Sequence, residues 1–247
     1  MSLKCYPDLK RWGADEVMRR EYGSMLAAVP EQGHDVTVDV DLERLPEDKE
    51  TLIRKLSLLK RNALAAPFEL AFAAQTEGRE TELMTIPYRD QEAIYIRAQH
   101  DRVTVIFSTV FKEETDQIFG KVFLQEFVDA RRQPSIQNAP QVLYSPREPP
   151  LELRGQPGLI DSDSIGYVTF VLFPRHFAGG AAAEAISRIQ LFRDYLHYHI
   201  KASKAYMHSR MRARVDSFLK VLNRAKPEQP DSLKEKKTAS GKTFKRA

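Results

Sequence analysis

The longest hydrophobic pattern in the chain lies between residues 181 and 226. This stretch contains neither glycine nor proline, and Pro227 is the first residue able to stop a helix. Apolar or small side chains recur there in steps of three and four, which predicts one helix of about 45 residues with a continuous apolar stripe. The stripe consists of Ile189, Phe192, Leu196, Ile200, Ser203, Met207, Met211, Val215, Phe218 and Leu222.

The two halves of this predicted helix differ in what surrounds the stripe. Further apolar residues broaden it in the first half, among them Ile186, Leu191 and Tyr195, which predicts packing on the sheet of the same domain. In the second half the stripe narrows, and the charged residues on its flanks are basic except for Asp216. A helix of roughly 68 Å exceeds the diameter of a small domain. The second half is therefore predicted to bury its stripe against a partner.

Upstream patterns predict a mixture of helices and strands. Periodic apolar residues predict helices at 7–21, 45–75 and 120–132, with Pro67 expected to break or kink the second one near 63–66. Alternating apolar and polar residues predict a strand at 36–42. Further strands are predicted at 83–88, 93–98, 102–111, 141–144, 151–153 and 167–173, the last of them centrally buried.

The fold class predicted from these elements is α+β. The order of elements in 7–75 is weakly echoed in 83–226, which suggests two related units, although no short sequence repeat supports the relation. The polar stretch 76–82, which contains Gly78, is the predicted boundary between them. The predicted domains are a first unit at 1–80, a second unit at 81–226 that ends in the long helix from about 181, and a flexible basic tail at 227–247.

Charge is distributed unevenly along a chain of otherwise ordinary composition. The 247 residues carry a net charge of +4, but residues 181–247 hold 16 Lys and Arg against 6 Asp and Glu, whereas the preceding residues hold 22 against 28. The basic end is therefore expected to meet an acidic surface. Cys5 is the only cysteine, so an intrachain disulfide is excluded, and a reducing, cytosolic location is expected. No apolar run is long enough to predict membrane insertion.

Candidate catalytic and metal-binding motifs are weak. Residues 240–243 (SGKT) resemble the end of a phosphate-binding loop, but Lys236 stands where that motif requires glycine. His197, His199 and His208 lack the spacing of four that lets a helix chelate a metal, so aromatic packing or partner contact is expected. Asp161 and Asp163 occur where turn-forming residues are common. No catalytic residue, cofactor or metal site is predicted, and the protein is not expected to be an enzyme.

Three kinds of partner remain for the basic helix. Membrane-surface binding favours exposed tryptophan, yet the single tryptophan, Trp12, lies far upstream. Nucleic-acid binding would place Lys and Arg on phosphates, and it stays the alternative hypothesis, which a salt titration would test. A protein interface requires an apolar stripe together with a charged flank. Because both occur on this helix, a protein interface is favoured.

Several segments together resemble a known family. They are GADEVMRREYGS (13–24), DLERLP (41–46), DRVTVIFSTVFK (101–112), GKVFLQEF (120–127), APQVLYSPREPPLEL (139–153), IGYVTFVLFPRH (165–176), LFRDYLHYHIKASKAYMHSRMRAR (191–214), FLKVLNRAKP (218–227) and SGKTF (240–244). In this order they look like subunit 2 of the actin-related protein 2/3 complex, and the likeness runs almost continuously from Ser2 to Phe244.

This resemblance implies a structural subunit rather than an enzyme. The implied fold has two tandem units, each an antiparallel sheet backed by helices. The implied partners are subunit 4, the other subunits of the complex and the mother actin filament, whose branching the complex nucleates, with no nucleic acid and no cofactor. The implied location is the actin cytoskeleton of the cytoplasm, at the cell cortex and in cell projections.

The resemblance implies filament contact and subunit pairing, and the choice of candidate residues is our own inference from the helix. Basic residues of the helix are the candidates for actin contact, with Lys220 and Arg224 ranked highest because they match the FLKVLNRA segment: Arg210, Arg212, Arg214, Lys220 and Arg224. Stripe residues are the candidates for the subunit interface: Phe192, Leu196, Ile200, Met207, Met211, Phe218 and Leu222. Members of this family begin with further strands, so the first sheet is expected to be incomplete.

Overall fold

A computed structural model describes residues 1–130, 133–159, 162 and 164–226, together with the backbones of 236–237 and 243–244. It contains two compact units, Met1–Ile200 and Lys201–Ala247. The regular elements are, in chain order, α1 (Tyr6–Arg11), α2 (Ala14–Tyr22), α3 (Lys49–Ser57), α4 (Leu59–Thr76), β1 (Met84–Arg89), β2 (Glu92–Ala98), β3 (Val103–Val110), α5 (Glu114–Ala130), β4 (Gln141–Pro146), β5 (Ile165–Leu172), α6 (Ala181–Ala225), β6 (Lys236–Lys237) and β7 (Thr243–Phe244).

The centre of the first unit is a five-stranded antiparallel sheet in the order β1-β2-β3-β5-β4. Val105 on β3 lies opposite Phe170 on β5, and Phe107 lies opposite Val168, so these side chains share one face. That face forms the main core with α1, α2, α4, α5 and the beginning of α6. Every residue of β5 is buried, which confirms the predicted central strand.

A smaller apolar cluster covers the opposite face of the sheet. Tyr95, Ile106 and Tyr167 project to this side and pack with Leu153 and Ile165. Leu153 belongs to a short 3-10 turn at Leu151–Leu153, where the sequence pattern predicted a strand. Three residues between prolines and a glycine are too few to reveal a turn by periodicity, and the prediction was wrong there.

The segment before β1 differs most from its prediction. Residues 36–42 contribute one isolated bridge, Val38 to Leu26, and Leu42 is exposed, so in the described residues this segment forms no strand. Alternating apolar residues indicate half-burial but do not supply the neighbouring strand that a sheet needs. The described part of 1–80 therefore has helices and one bridge where a sheet was expected, while the α+β class and the long helix from Ala181 are confirmed.

The observed helix boundaries in this region also differ from the predicted ones. The predicted helix at 7–21 is divided at Gly13, whose φ of +92° is accessible mainly to glycine. The predicted break near Pro67 does not occur: α4 continues through this proline, and the helical segment is interrupted at Leu58 instead. Ala63, Ala66 and Phe68 are all buried, so tertiary packing offsets the backbone hydrogen bond that Pro67 cannot donate.

Some predictions fall on parts of the chain that the structure does not describe. Asp161, Asp163 and most of the tail at 227–247, including Ser240 to Lys242, lie outside the described residues. Within the tail, the backbones of β6 and β7 pair with each other. The compact unit Met1–Ile200 includes both sides of the predicted boundary near residue 80, and the division at that point remains a prediction.

Candidate protein interface on the long helix

A buried ion pair joins the first half of α6 to the sheet. Arg193 donates two hydrogen bonds of 2.9 Å to the carboxylate of Glu92 at the start of β2. Glu92 also accepts a 3.0 Å bond from the amide of Val110, and its side chain is 3% exposed. Such a bidentate pair fixes both position and orientation. The rotation of this part of α6 about its own axis is thereby set by the sheet.

The surroundings of the ion pair favour a structural rather than a catalytic role. Burial acts to lower the pKa of Arg193, but the hydrogen bonds and the negative charge of Glu92 raise it overall. Burial, with the Glu92 charge, raises the pKa of the nearby Tyr88 hydroxyl. Both shifts favour a protonated Arg193 and Tyr88 at neutral pH. The Glu92 carboxylate accepts hydrogen bonds from Arg193, from the Val110 amide and from the Tyr88 hydroxyl.

Polar contacts also connect α6 to α4. The guanidinium of Arg61 donates to the Ala183 carbonyl at 2.6 Å and to the Ser187 hydroxyl at 3.0 Å. Gln190 returns a bond of 3.2 Å to the Arg61 carbonyl. These contacts were not predicted, because residues more than a hundred positions apart give no local sequence signal.

Three of the predicted interface residues pack in this unit, where Leu196 and Ile200 belong to the core and Phe192 is partly buried against it. Phe192 packs on Phe170, Phe107 and Phe127, with ring centroids 4.7, 5.7 and 6.5 Å away. Leu196 is 3% exposed and Ile200 is fully buried. Their role at a subunit interface remains a prediction. The exposed members of the predicted set are Met207, Met211, Phe218 and Leu222.

Two of the histidines of α6, His197 and His199, pack against aromatic rings, as predicted. His197 stacks on Phe111 at 5.8 Å between ring centroids, and His199 lies 6.2 Å from Phe123. In the part of the chain that the structure describes, no three His, Cys, Asp or Glu side chains are grouped so as to hold a metal ion.

An apolar groove in the first unit was not predicted. It has a volume of about 750 Å³ and lies between α5, β4, β5 and the beginning of α6. Phe127, Leu191 and Tyr195 line it and are each about half exposed. The helix α5 packs closely on the residue that follows β3. A Cβ at Gly120 would lie 2.7 Å from the Phe111 ring, so this close approach requires glycine.

From Ala205 to Ala225 every residue of the long helix is exposed. The accessible part of the stripe is included: Met207 is 49% exposed, Met211 60%, Phe218 61% and Leu222 44%. A row of exposed large apolar side chains on a regular helix is typical of a protein interface. The predicted stripe therefore exists as a surface feature in the second unit.

The candidate actin-binding residues lie on more than one face of this helix. At about 100° per residue, Lys220 and Arg224 fall roughly 170° and 130° from the centre of the stripe. Arg212 lies about 110° away on the other side, whereas Arg214 is only about 50° from the stripe. Arg210 donates a 2.7 Å bond to the Tyr206 hydroxyl. Lys220 and Arg224 therefore lie on the side of the helix opposite the stripe, whereas Arg214 lies beside the stripe.

Comparison with known protein families identifies this architecture. The family described as Arp2/3 complex, 34 kD subunit p34-Arc, matches residues 1–229, which include the sheet and all of α6. The chain belongs to this family.

Two relatives are similar to nearly the whole chain. Actin-related protein 2/3 complex subunit 2 of Schizosaccharomyces pombe is 52% identical over 268 aligned positions, covering 100% of this chain and 83% of that protein. The Dictyostelium discoideum protein of the same name is 45% identical, covering 99% of this chain and 82% of its own length. None of the described helices has the length and apolar character needed to cross a bilayer.

Proposed function

We propose that this chain is a structural subunit of an actin-related protein 2/3 complex, that it pairs with subunit 4 and that it binds the mother filament. Membership of the p34-Arc family and the names of the two relatives support the place in the complex. The chain would then act in the actin cytoskeleton of the cytoplasm, at the cell cortex and in cell projections. Its contribution to branching would be positional, since ATP binding belongs to the actin-related subunits.

The single observation that best supports pairing is the exposed helical segment 205–225 with its apolar row. Leaving Met207, Met211, Phe218 and Leu222 in water forgoes the favourable burial of their side chains, about 25 cal/mol for each Å² of apolar surface. A second amphipathic helix laid along this row would recover that energy.

The basic residues on the opposite face support filament contact. Lys220 and Arg224 are four positions apart, so their side chains lie on the same side of the helix. Neither has an ion-pair partner among the described residues. Because this side is turned away from the stripe, both charges stay accessible when the stripe is paired. An acidic filament surface would be attracted to them.

Charge reversal at this pair is the test of the proposal. The double variant Lys220→Glu and Arg224→Glu should co-purify with subunit 4 on size exclusion as the unsubstituted chain does. Co-sedimentation of the assembled complex with actin filaments should fall by about tenfold or more, since two attractive contacts become repulsive. The double variant Arg54→Glu and Arg188→Glu, at exposed positions of the first unit, changes the net charge by the same amount and serves as the control. Unchanged sedimentation and branching would contradict the assignment of Lys220 and Arg224 to the filament.

A further inference from the structure

Arg214 lies at the edge of the apolar row of the exposed helix, about 50° from its centre. Met207, Met211, Arg214, Phe218 and Val221 follow one another at intervals of four, three, four and three residues. This alternation is that of the two core positions of a coiled-coil heptad, with Arg214 in register with Met207 and Val221. In this register, a helix that covers Met207 and Phe218 also covers the stem and charge of Arg214.

The exposures of its neighbours support this placement. Met211 is 60% exposed, Phe218 61% and Val221 60%, and these side chains surround Arg214 on its own face. Within the described residues the Arg214 side chain takes part in no ion pair or hydrogen bond, and the nearest acidic residue along the helix, Asp216, falls on the far face. The chain itself supplies no counter-charge at this position.

Covering an unpaired guanidinium with an apolar helix is costly. A charge removed from water without a partner opposes association, whereas one that meets a carboxylate with good geometry is compensated. A single charged residue at such a core position also fixes the register of two helices, because every other alignment leaves it unpaired. The cost at Arg214 thus defines what the partner helix must contain.

We propose that Arg214 is the register-determining residue of the subunit interface and that the partner helix presents an Asp or Glu carboxylate directly to it. This inference rests on the pairing proposed above and specifies the chemistry of the partner surface. It also reassigns Arg214 from the candidate filament contacts to the interface, which leaves Arg210, Arg212, Lys220 and Arg224 as filament candidates. A second copy of this chain does not fit in parallel register, because two Arg214 guanidinium groups would then meet in the interface.

The substitution Arg214→Met tests the proposal by the sign of its effect. The methionine keeps the apolar stem and removes the charge. If a partner carboxylate faces Arg214, the variant leaves that carboxylate buried and unpaired, and binding of the full-length chain to subunit 4 should weaken about tenfold in a calorimetric titration. If no carboxylate is present, the same variant removes a desolvation cost, and binding should become tighter. Equal or tighter binding would overturn the proposal.

Arg212→Met is the matched control, since Arg212 is an exposed arginine two positions away that faces a different direction. It should change the affinity for subunit 4 by less than about twofold. Arg214→Glu should weaken pairing by about a hundredfold or more, and reversal of the facing acidic residue of subunit 4 to Arg should restore most of the loss. Failure of every such reversal to rescue Arg214→Glu would also count against the proposal.

The failure of the proposed function is distinguishable from failure of this inference. If the unsubstituted chain does not bind subunit 4 at all, the proposed pairing is wrong, and the inference about Arg214 is overturned with it. If the unsubstituted chain binds and Arg214→Met binds more tightly, the pairing stands and only the facing carboxylate is excluded. Because Arg214 is exposed, circular dichroism of all variants should match that of the unsubstituted chain.

Discussion

Residues 181–200 and 201–225 of α6 share one helix and one repeating apolar pattern, but their side chains have different surroundings. In the first segment Ile189, Leu196 and Ile200 are buried, and Arg193 is paired with Glu92. In the second, Met207, Met211 and Phe218 are about half exposed. The same spacing of apolar residues therefore corresponds to core packing in one segment and to an exposed surface in the other. What separates them is the presence of a sheet to pack on.

Breaking the ion pair should have the largest effect on the first segment. Arg193→Ala leaves the Glu92 carboxylate buried without its bidentate partner, which should lower the free energy of unfolding by about 3–5 kcal/mol. Urea denaturation followed by Trp12 fluorescence measures this change. Arg188→Ala is the control, because the ion pair of Arg188 with Glu184 is exposed and should contribute less than about 1 kcal/mol. Similar losses for the two variants would contradict the anchoring role of Arg193.

Truncating one apolar residue in each segment sharpens the comparison. Leu196→Ala, at a position 3% exposed, should cost about 2–5 kcal/mol of unfolding free energy in the free chain. Phe218→Ala, at a position 61% exposed, should change it by less than about 0.5 kcal/mol. With subunit 4 present, Phe218→Ala should instead weaken pairing. A large loss of stability for Phe218→Ala in the free chain would mean that this side chain already packs within the chain.

Much of the sheet could be predicted because its residues carry a local pattern. Val103, Val105 and Phe107 alternate with polar or opposite-facing residues, and β3 was expected at nearly its observed place. Val36, Val38 and Val40 alternate in the same way, yet only the bridge between Val38 and Leu26 forms. Alternation describes one strand, whereas pairing depends on residues elsewhere in the chain. That dependence explains why the first prediction was confirmed and the second was wrong.

The candidate site was predictable to the same limited extent. The spacing from Phe192 to Leu222 correctly indicated a helix with one apolar face. It gave no means to decide that Ile200 is buried while Met207 is exposed, because the two residues are seven positions apart and occupy equivalent positions on the helix. The Glu92–Arg193 pair could not be predicted from the sequence either, because its two residues belong to separate elements. Only the three-dimensional arrangement divides the stripe into core and surface.

Hydrogen exchange of the backbone amides of α6 tests the central claim most directly, when measured in the free chain and in its complex with subunit 4. An exposed helical segment without tertiary packing opens at low cost, so amides at 205–225 should exchange rapidly in the free chain, while those at 186–200 are protected. Pairing should slow exchange at 205–225 by about a hundredfold or more and leave 186–200 little changed. Equal protection of the two segments in the free chain, or no gain at 205–225 on addition of subunit 4, would contradict the claim that the exposed half of α6 is the surface for a partner.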